Sequence, residues 1–236
     1  YGSVDFDPGS NTYILSSAGT SDIFISKLDS SGNFLWARQM GGTDYDQGNS
    51  IAIDSDDNVY LTGYFSGMAD FDPGPEIYNA VSLGGQDMFI EKLDSDGNFL
   101  WLKQLGGIFD DRGNSIAFDS SQNIYWVGSF RDTMEIDFGD YSENLISVGG
   151  HDIFVSKISP SSNFIWAKNM GGEKEDQGYA IAVDADGNSF LVGSFQGTVD
   201  FDPSINNFYL TALGGSDIFI NKLNKFGNLA WAKQIG

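Results

Sequence analysis

Short runs rich in Ile, Val, Phe, Tyr and Trp alternate along the chain with clusters of Gly, Asp, Asn and Ser, and no stretch carries the apolar period of a helix. In one stretch the runs fall near Ser50–Asp54, Val59–Phe65, Met88–Leu93 and Phe99–Leu105, and they predict four strands. Many runs are apolar on both faces. Phe24 and Leu28 point opposite to Ile23 and Ile25, and Trp36 opposite to Leu35 and Ala37. Both faces of such a sheet need cover, which a stack of neighbouring sheets supplies and a one-sided open sheet does not.

The runs repeat. DIFISKLDSSGNFLWARQMGG starts at Asp22, DMFIEKLDSDGNFLWLKQLGG at Asp87, DIFVSKISPSSNFIWAKNMGG at Asp152 and DIFINKLNKFGNLAWAKQIG at Asp217, each 65 residues after the last. The intervening sequence keeps the same register, from Gly48, Gly113 and Gly178, with no insertion or deletion. Repetition at this period predicts one architecture built of stacked units rather than two unrelated domains. Counting from the Gly-Gly pairs, complete units occupy 42–106, 107–171 and 172–236, and residues 1–41 supply part of another. Four units of 65 exceed the 236-residue chain by 24, which corresponds to the first two strands of the leading unit. The expectation is an all-β propeller segment: three complete four-stranded blades plus part of a fourth, within a larger propeller.

Turn chemistry supports the strand assignment. Asp29 to Asn33, Asp94 to Asn98 and Asn224 to Asn228 place Gly32, Gly97 and Gly227 where a tight hairpin needs positive φ. Between the first and second strands, Asp57 and Gln122 replace that glycine, which implies backbone strain or a different loop. The insertion Asp70 to Leu83, between the second and third strands, predicts an extra loop or short strand pair at the blade's rim.

The pattern GGxDxFxxKLDxxGNxxWxxxxGG, followed by DxGxxIAxDxxxNxYxxGxF and VDFDPG, resembles the SBBP β-propeller repeat family over essentially the whole chain. The resemblance implies a propeller fold and a place in a large exported bacterial protein, extracellular or at the cell surface. It also implies a link to adhesive or carbohydrate-associated modules, and for some members to cargo of the type IX secretion route.

Composition narrows the function. A net charge of −21 repels nucleic-acid phosphate and anionic membrane surfaces, and no apolar run is long enough to span a bilayer as a helix. With no cysteine, disulfides, thiolate metal sites and cysteine nucleophiles are all excluded. His151 is the single histidine, standing where other units have Ser21, Gln86 and Ser216, and reads as a loop substitution rather than a base.

Charged and aromatic residues recur with the repeat. Trp36, Trp101, Trp166 and Trp231 read as blade-packing core rather than a sugar platform. Lys27, Lys92, Lys157 and Lys222, with Arg38, Lys103, Lys168 and Lys233, recur beside Asp22, Asp87, Asp152 and Asp217, and read as structural ion pairs or hydrogen bonds to neighbouring loops. The pairs Asp5/Asp7, Asp70/Asp72 and Asp200/Asp202 read as Asp-capped turns; the alternative is a calcium site, since residues two apart in an extended segment point the same way.

No residue is assigned a catalytic, cofactor-binding or metal role. Arg112, Arg131 and His151 are the clearest departures from repeat identity. The sequence therefore predicts a noncatalytic interaction or scaffold module whose partner is a protein or glycan at the cell surface, or secretion machinery. The alternative is a propeller-type polysaccharide hydrolase or lyase working through two carboxylates.

Overall fold

A computed structural model describes residues 2–139 and 141–236. The strands in chain order are β1 (Ser3–Asp5), β2 (Ile14–Ser16), β3 (Ile23–Leu28), β4 (Phe34–Gly42), β5 (Asp46–Ile53), β6 (Val59–Asp70), β7 (Asn79–Leu93), β8 (Phe99–Leu105) and β9 (Arg112–Phe118). They continue with β10 (Ile124–Asp137), β11 (Ser142–Ile158), β12 (Phe164–Gly172), β13 (Gln177–Val183), β14 (Ser189–Phe195), β15 (Thr198–Asp200), β16 (Tyr209–Thr211), β17 (Asp217–Leu223) and β18 (Leu229–Ile235). The fold is all-β and propeller-like. Successive antiparallel strands form the sheets β5-β6-β7-β8, β9-β10-β11-β12 and β13-β14-β17-β18, while β3 and β4 form half of another.

The insertion between second and third strands is a strand pair. In the middle sheets it prolongs β6 into β7 and β10 into β11 beyond bulges at Ser66/Met68 and Arg131/Thr133; elsewhere it forms the separate hairpins β1-β2 and β15-β16. Each prolonged or separate hairpin folds back along its sheet. Phe71 reaches Phe65 and Phe89 on the sheet face, and Tyr78 reaches Phe99 at the start of the fourth strand. The hairpin also pairs with the end of the preceding sheet's last strand, through Gly41↔Asp70 and Gly42↔Ala69, and through Gly171↔Asp200 and Gly172↔Val199. Strand pairing between units is limited to this hairpin and to short backbone contacts near the start of the third strand, such as Ser21↔Tyr45, so the four-stranded sheets stay separate layers.

The Gly-Gly pair follows from that contact. A Cβ on Gly42 would stand 1.9 Å from the Met68 carbonyl oxygen, and one on Gly107 would stand 2.1 Å from that of Thr133. Only glycine lets the two backbones approach so closely.

Three apolar clusters fill the spaces between layers. Ile23, Ile25 and Met40 meet Val59, Leu61, Phe65 and Phe89 in the first; Tyr60, Met88 and Ile90 meet Trp126, Phe130 and Phe154 in the second; Val127, Ile153 and Met170 meet Leu191, Phe195 and Phe219 in the third. The two-faced strands are explained by this arrangement, because each sheet contributes one face to each neighbour. The first strands lie against one another: Asn49 Nδ2 donates to the Gly113 carbonyl at 2.9 Å, and Asn114 Nδ2 to that of Gly178 at 2.8 Å.

The tryptophans pack between units as expected in three of the four: Trp166 is buried in the third cluster, and Trp36 and Trp101 pack against the first and second. All lie on the fourth strand, and in two the ring also covers the next unit's hairpin tip. Trp36 packs on Gly97 and Trp166 on Gly227, with Trp166 Nε1 donating to the Lys225 carbonyl at 3.2 Å. Trp231 is exposed.

Asp57 and Gln122 occupy the left-handed backbone region, both at φ 62°, so these turns keep the glycine geometry and carry its strain. Ser162 does the same at φ 61°, where the equivalent hairpins have Gly32, Gly97 and Gly227. Replacing Ser162→Gly is expected to stabilise the fold by about 1 kcal/mol, through relief of the left-handed penalty. Urea unfolding checks this, and an unchanged or lowered midpoint would contradict it.

Candidate interaction site

Every sheet has two ends. Tight turns such as Asp54–Asn58 and Asp94–Asn98 close one of them, and at the other the Gly-Gly loops, the bulges and the starts of the first and third strands meet. A buried carboxylate organises each meeting point on this second end. Asp111 accepts from the Gly107 amide at 2.7 Å and from the Arg131 amide at 3.0 Å, while its own amide donates to the Gln86 carbonyl at 2.6 Å. Asp46 and Asp176 repeat the arrangement, with Gly42 and Ser66 and with Gly172 and Gln196 as donors. One side chain thereby ties the end of one sheet to the first and second strands of the next.

A second carboxylate lies beside each of these. Asp87 accepts from the Leu83 amide at 3.1 Å and from Gln104 Nε2 at 2.6 Å, and Asp22 and Asp217 bind Gln39 and Gln234 in the same way. These aspartates make hydrogen bonds to loops rather than the ion pairs that were the other expectation. The other oxygens of Asp22, Asp87 and Asp152 have no hydrogen-bond partner. Burial pushes the carboxyls of Asp46, Asp87 and Asp152 up to about 6, and those of Asp111 and Asp176 to about 7. The facing Asp22, Asp87 and Asp152 add to the rise of Asp46, Asp111 and Asp176 respectively.

On this frame the residues that break the repeat converge. Arg112 comes from β9, Arg131 from β10 and His151 from β11, and all three meet the single loop Ile108–Asp110. The Arg131 guanidinium lies over the Phe109 ring at 5.0 Å. His151 Nε2 is 3.1 Å from the Asp110 carbonyl oxygen, and its Nδ1 is 2.7 Å from Glu175 Oε2. Arg112 Nε donates to Gln86 Oε1 at 2.7 Å, its Nη2 stands 3.5 Å from Asp110 Oδ2, and its guanidinium covers the Tyr64 ring at 5.2 Å.

Arg112 also lines a groove of about 320 Å³ that crosses the three first strands, with Gln47, Asn49, Tyr64, Asn114 and Tyr179. Ile108 and Phe109 are exposed on the loop that Arg112 and Arg131 meet. The surface combines a guanidinium, amides and tyrosine rings with two bare apolar side chains, a chemistry suited to binding. The sequence signal for it was the loop itself, which reads Thr-Asp-Tyr, Ile-Phe-Asp and Glu-Lys-Glu in successive units within an otherwise repeating frame.

Other sequence candidates lie elsewhere. Asp70 Oδ1 accepts from the Asp72 and Tyr78 amides and Asp72 Oδ1 from Gly74, so the pair caps the insertion's turn; Asp5/Asp7 and Asp200/Asp202 do likewise. Among the described residues no three acidic or histidine side chains gather where a metal ion could sit. Lys92, Lys157 and Lys222 pair with Asp54, Asp119 and Asp184 in their own sheet's first turn, at 3.2, 3.0 and 3.5 Å, while Arg38 binds the carbonyls of Asp96 and Gly97 in the next unit.

Sequence reasoning missed Glu91. It is fully buried, and both its carboxyl oxygens lack partners. Burial, reinforced by Asp72 and Asp70, holds its carboxyl well above the usual range. A polar residue recurs there as Ser26, Ser156 and Asn221, which was the available signal.

Two segments, 35–67 and 100–129, match the model of the SBBP β-propeller repeat family. The chain is 25% identical over 231 residues to an uncharacterized WD repeat-containing protein, L264, of Acanthamoeba polyphaga mimivirus, a match covering 86% of this chain and 16% of that protein. It is 27% identical over 213 residues to the regulatory protein FlaEY of Caulobacter vibrioides, covering 89% of this chain and 21% of that protein. The chain thus spans a fifth or less of the first relative and about a fifth of the second.

The raised carboxyls set a pH dependence. A group whose folded-state pKa exceeds its unfolded value of 3.8 stabilises the fold fully below that value and ceases to do so as pH rises through the folded value. Stability is therefore expected to fall between about pH 4 and pH 7 on account of Asp46, Asp87, Asp111, Asp152 and Asp176. Below pH 4 the opposite contribution is lost, because hydrogen bonds hold Asp29 and Asp184 below the usual range. Urea midpoints across pH 3–8 should peak near pH 4–5, and Asp111→Asn should flatten the decline. A midpoint that climbs steadily to pH 8 would contradict this.

Proposed function

We propose that this chain is a noncatalytic interaction module that binds a protein partner at the end carrying Arg112, His151 and Phe109. The reading rests on one observation: the three departures from the repeat, far apart in sequence, meet at one loop beside the groove across the first strands. A repeating scaffold needs no such convergence for its stability, whereas a binding surface must differ from its neighbours to be selective. The part-exposed Arg112 guanidinium supplies donors for a partner carboxylate, Tyr179 supplies a face for packing, and Ile108 and Phe109 supply apolar area.

The β-propeller repeat match and the WD-repeat relative support a module of this general kind. The finer setting is an exported bacterial protein, extracellular or at the cell surface, with cargo of the type IX route as one form of it. The resemblance of the repeats supports that setting, and fractionation of the native source tests it: recovery in the cytoplasm would contradict it.

Screening the chain against peptide and glycan arrays tests the binding reading. The expected outcome is saturable retention of carboxylate-bearing peptides, weakened at least tenfold by Arg112→Ala and without product release from any polysaccharide; loss of one charged hydrogen-bonded contact of roughly 1.5–3 kcal/mol gives that scale. Selective glycan retention would move the partner to a carbohydrate. Turnover of a polysaccharide would overturn the reading in favour of the hydrolase or lyase alternative.

A further inference from the structure

His151 stands between two variable loops and faces a hydrogen-bond acceptor on each. Its Nδ1 is 2.7 Å from Glu175 Oε2, and its Nε2 is 3.1 Å from the Asp110 carbonyl oxygen. Asp110 and Glu175 hold the same place in successive units, one residue ahead of the buried Asp111 and Asp176, so the ring spans two neighbouring junctions. The equivalent side chains act within one junction: Ser21 Oγ donates to the Asp46 carbonyl, and Gln86 Oε1 accepts from Arg112 Nε. The His151 side chain is 18% exposed, so water has little room to replace either contact.

A neutral imidazole carries one N–H and one lone pair, whereas the imidazolium carries two N–H groups. Both contacts of His151 end on oxygens that accept and do not donate, an ionised carboxylate and a backbone carbonyl. The charged ring therefore satisfies both, and the neutral ring satisfies one. Losing a proton sets a lone pair against a lone pair at the other. The carboxylate is the stronger acceptor, so the proton that remains sits on Nδ1 and the contact that fails is the one to the Asp110 carbonyl.

We propose that His151 is a proton-operated latch between the loops Ile108–Asp110 and Glu173–Glu175: charged, it ties the first loop to the second, and neutral, it lets the first loop go. A released loop leaves Phe109 less firmly held under Arg131, so the partner surface is better ordered, and binds more tightly, in acid. That consequence rests on the partner reading given above, whereas the latch does not.

Other charges face the ring from each element around it. Glu173 and Lys174 flank Glu175 on one loop, and Asp110 meets Arg112 at 3.5 Å on the other. Arg131 lies opposite His151 in the pairing of β10 with β11, and Asp152 follows it on its own strand. Burial raises the carboxyl of Asp152 to about 6 and those of Asp111 and Asp176 to about 7, so these three titrate over the range in which the latch is tested. As His151 is the single histidine, NMR follows its two ring nitrogens without ambiguity. From pH 5 to pH 9, the expected result is both nitrogens protonated in acid and Nδ1 alone in base. The Asp110 carbonyl carbon signal should shift with the midpoint of the ring.

His151→Gln, which installs the residue type of the second unit's Gln86, should remove the carbonyl step. Glu175→Gln should remove it too, because a side-chain amide can donate to the bare Nδ1 and leave the ring's proton on Nε2 for the Asp110 carbonyl. A ring that keeps its proton on Nε2 in base, a missing carbonyl step, or a step that survives His151→Gln would each overturn the proposal; the last would assign the step to the buried aspartates. Retention of carboxylate-bearing peptides should weaken about fivefold between pH 5.5 and pH 8.5, the scale of one net hydrogen bond, and His151→Gln should abolish the difference. Equal retention at both pH values would overturn the link from latch to binding. No retention at either, with the carbonyl step intact, would overturn the partner reading and support the latch alone.

Discussion

The enclosed sheets β5–β8 and β9–β12 are apolar on two faces, and each face is covered by a neighbouring sheet. That constraint dictates stacking. It explains why the three clusters lie between sheets and not within any one of them, and why the buried phenylalanines Phe89, Phe154 and Phe219 recur at one position. The same residue in the leading half-sheet, Phe24, is 60% exposed, so exposure follows from the neighbour and not from the residue.

Stacking by apolar contact alone would leave the sheets free to slide. The buried aspartates at the junctions supply the missing direction, since Asp46, Asp111 and Asp176 each accept two backbone amides from fixed points on two sheets. Their environment is costly for a full charge, and the fold tolerates it by raising their proton affinity. The frame they hold leaves the loop ahead of each aspartate free to vary, as Ile108–Asp110 does. The fixed junction and the variable loop are therefore separated along the chain by only one or two residues.

The repeat length, the strands and the hairpin glycines were legible because each is a local property of sequence. The left-handed backbone at Asp57 and Gln122 was legible in the same way, as a turn that lacked its glycine. So was the packing role of the tryptophans; that Trp36 and Trp166 lean on the next unit's hairpin tip was not, because that contact depends on how neighbouring sheets stack. The hairpin at the rim was readable as an insertion, but its pairing with the preceding unit's Gly-Gly depends on how far the sheets are rotated, which no single strand encodes. Arg112, Arg131 and His151 stood out individually. Their convergence came from three different strands meeting one loop, a relation visible only after stacking.

Native-state hydrogen exchange tests the mutual cover of the sheets most directly. The sheet β9–β12, enclosed on both faces, should hold the slowest amides, β13-β14-β17-β18 and β5–β8 should follow, and β3 and β4 should exchange fastest. Equal protection of the half-sheet and the enclosed sheet would contradict the account, because it would mean that each layer is stable without its neighbours.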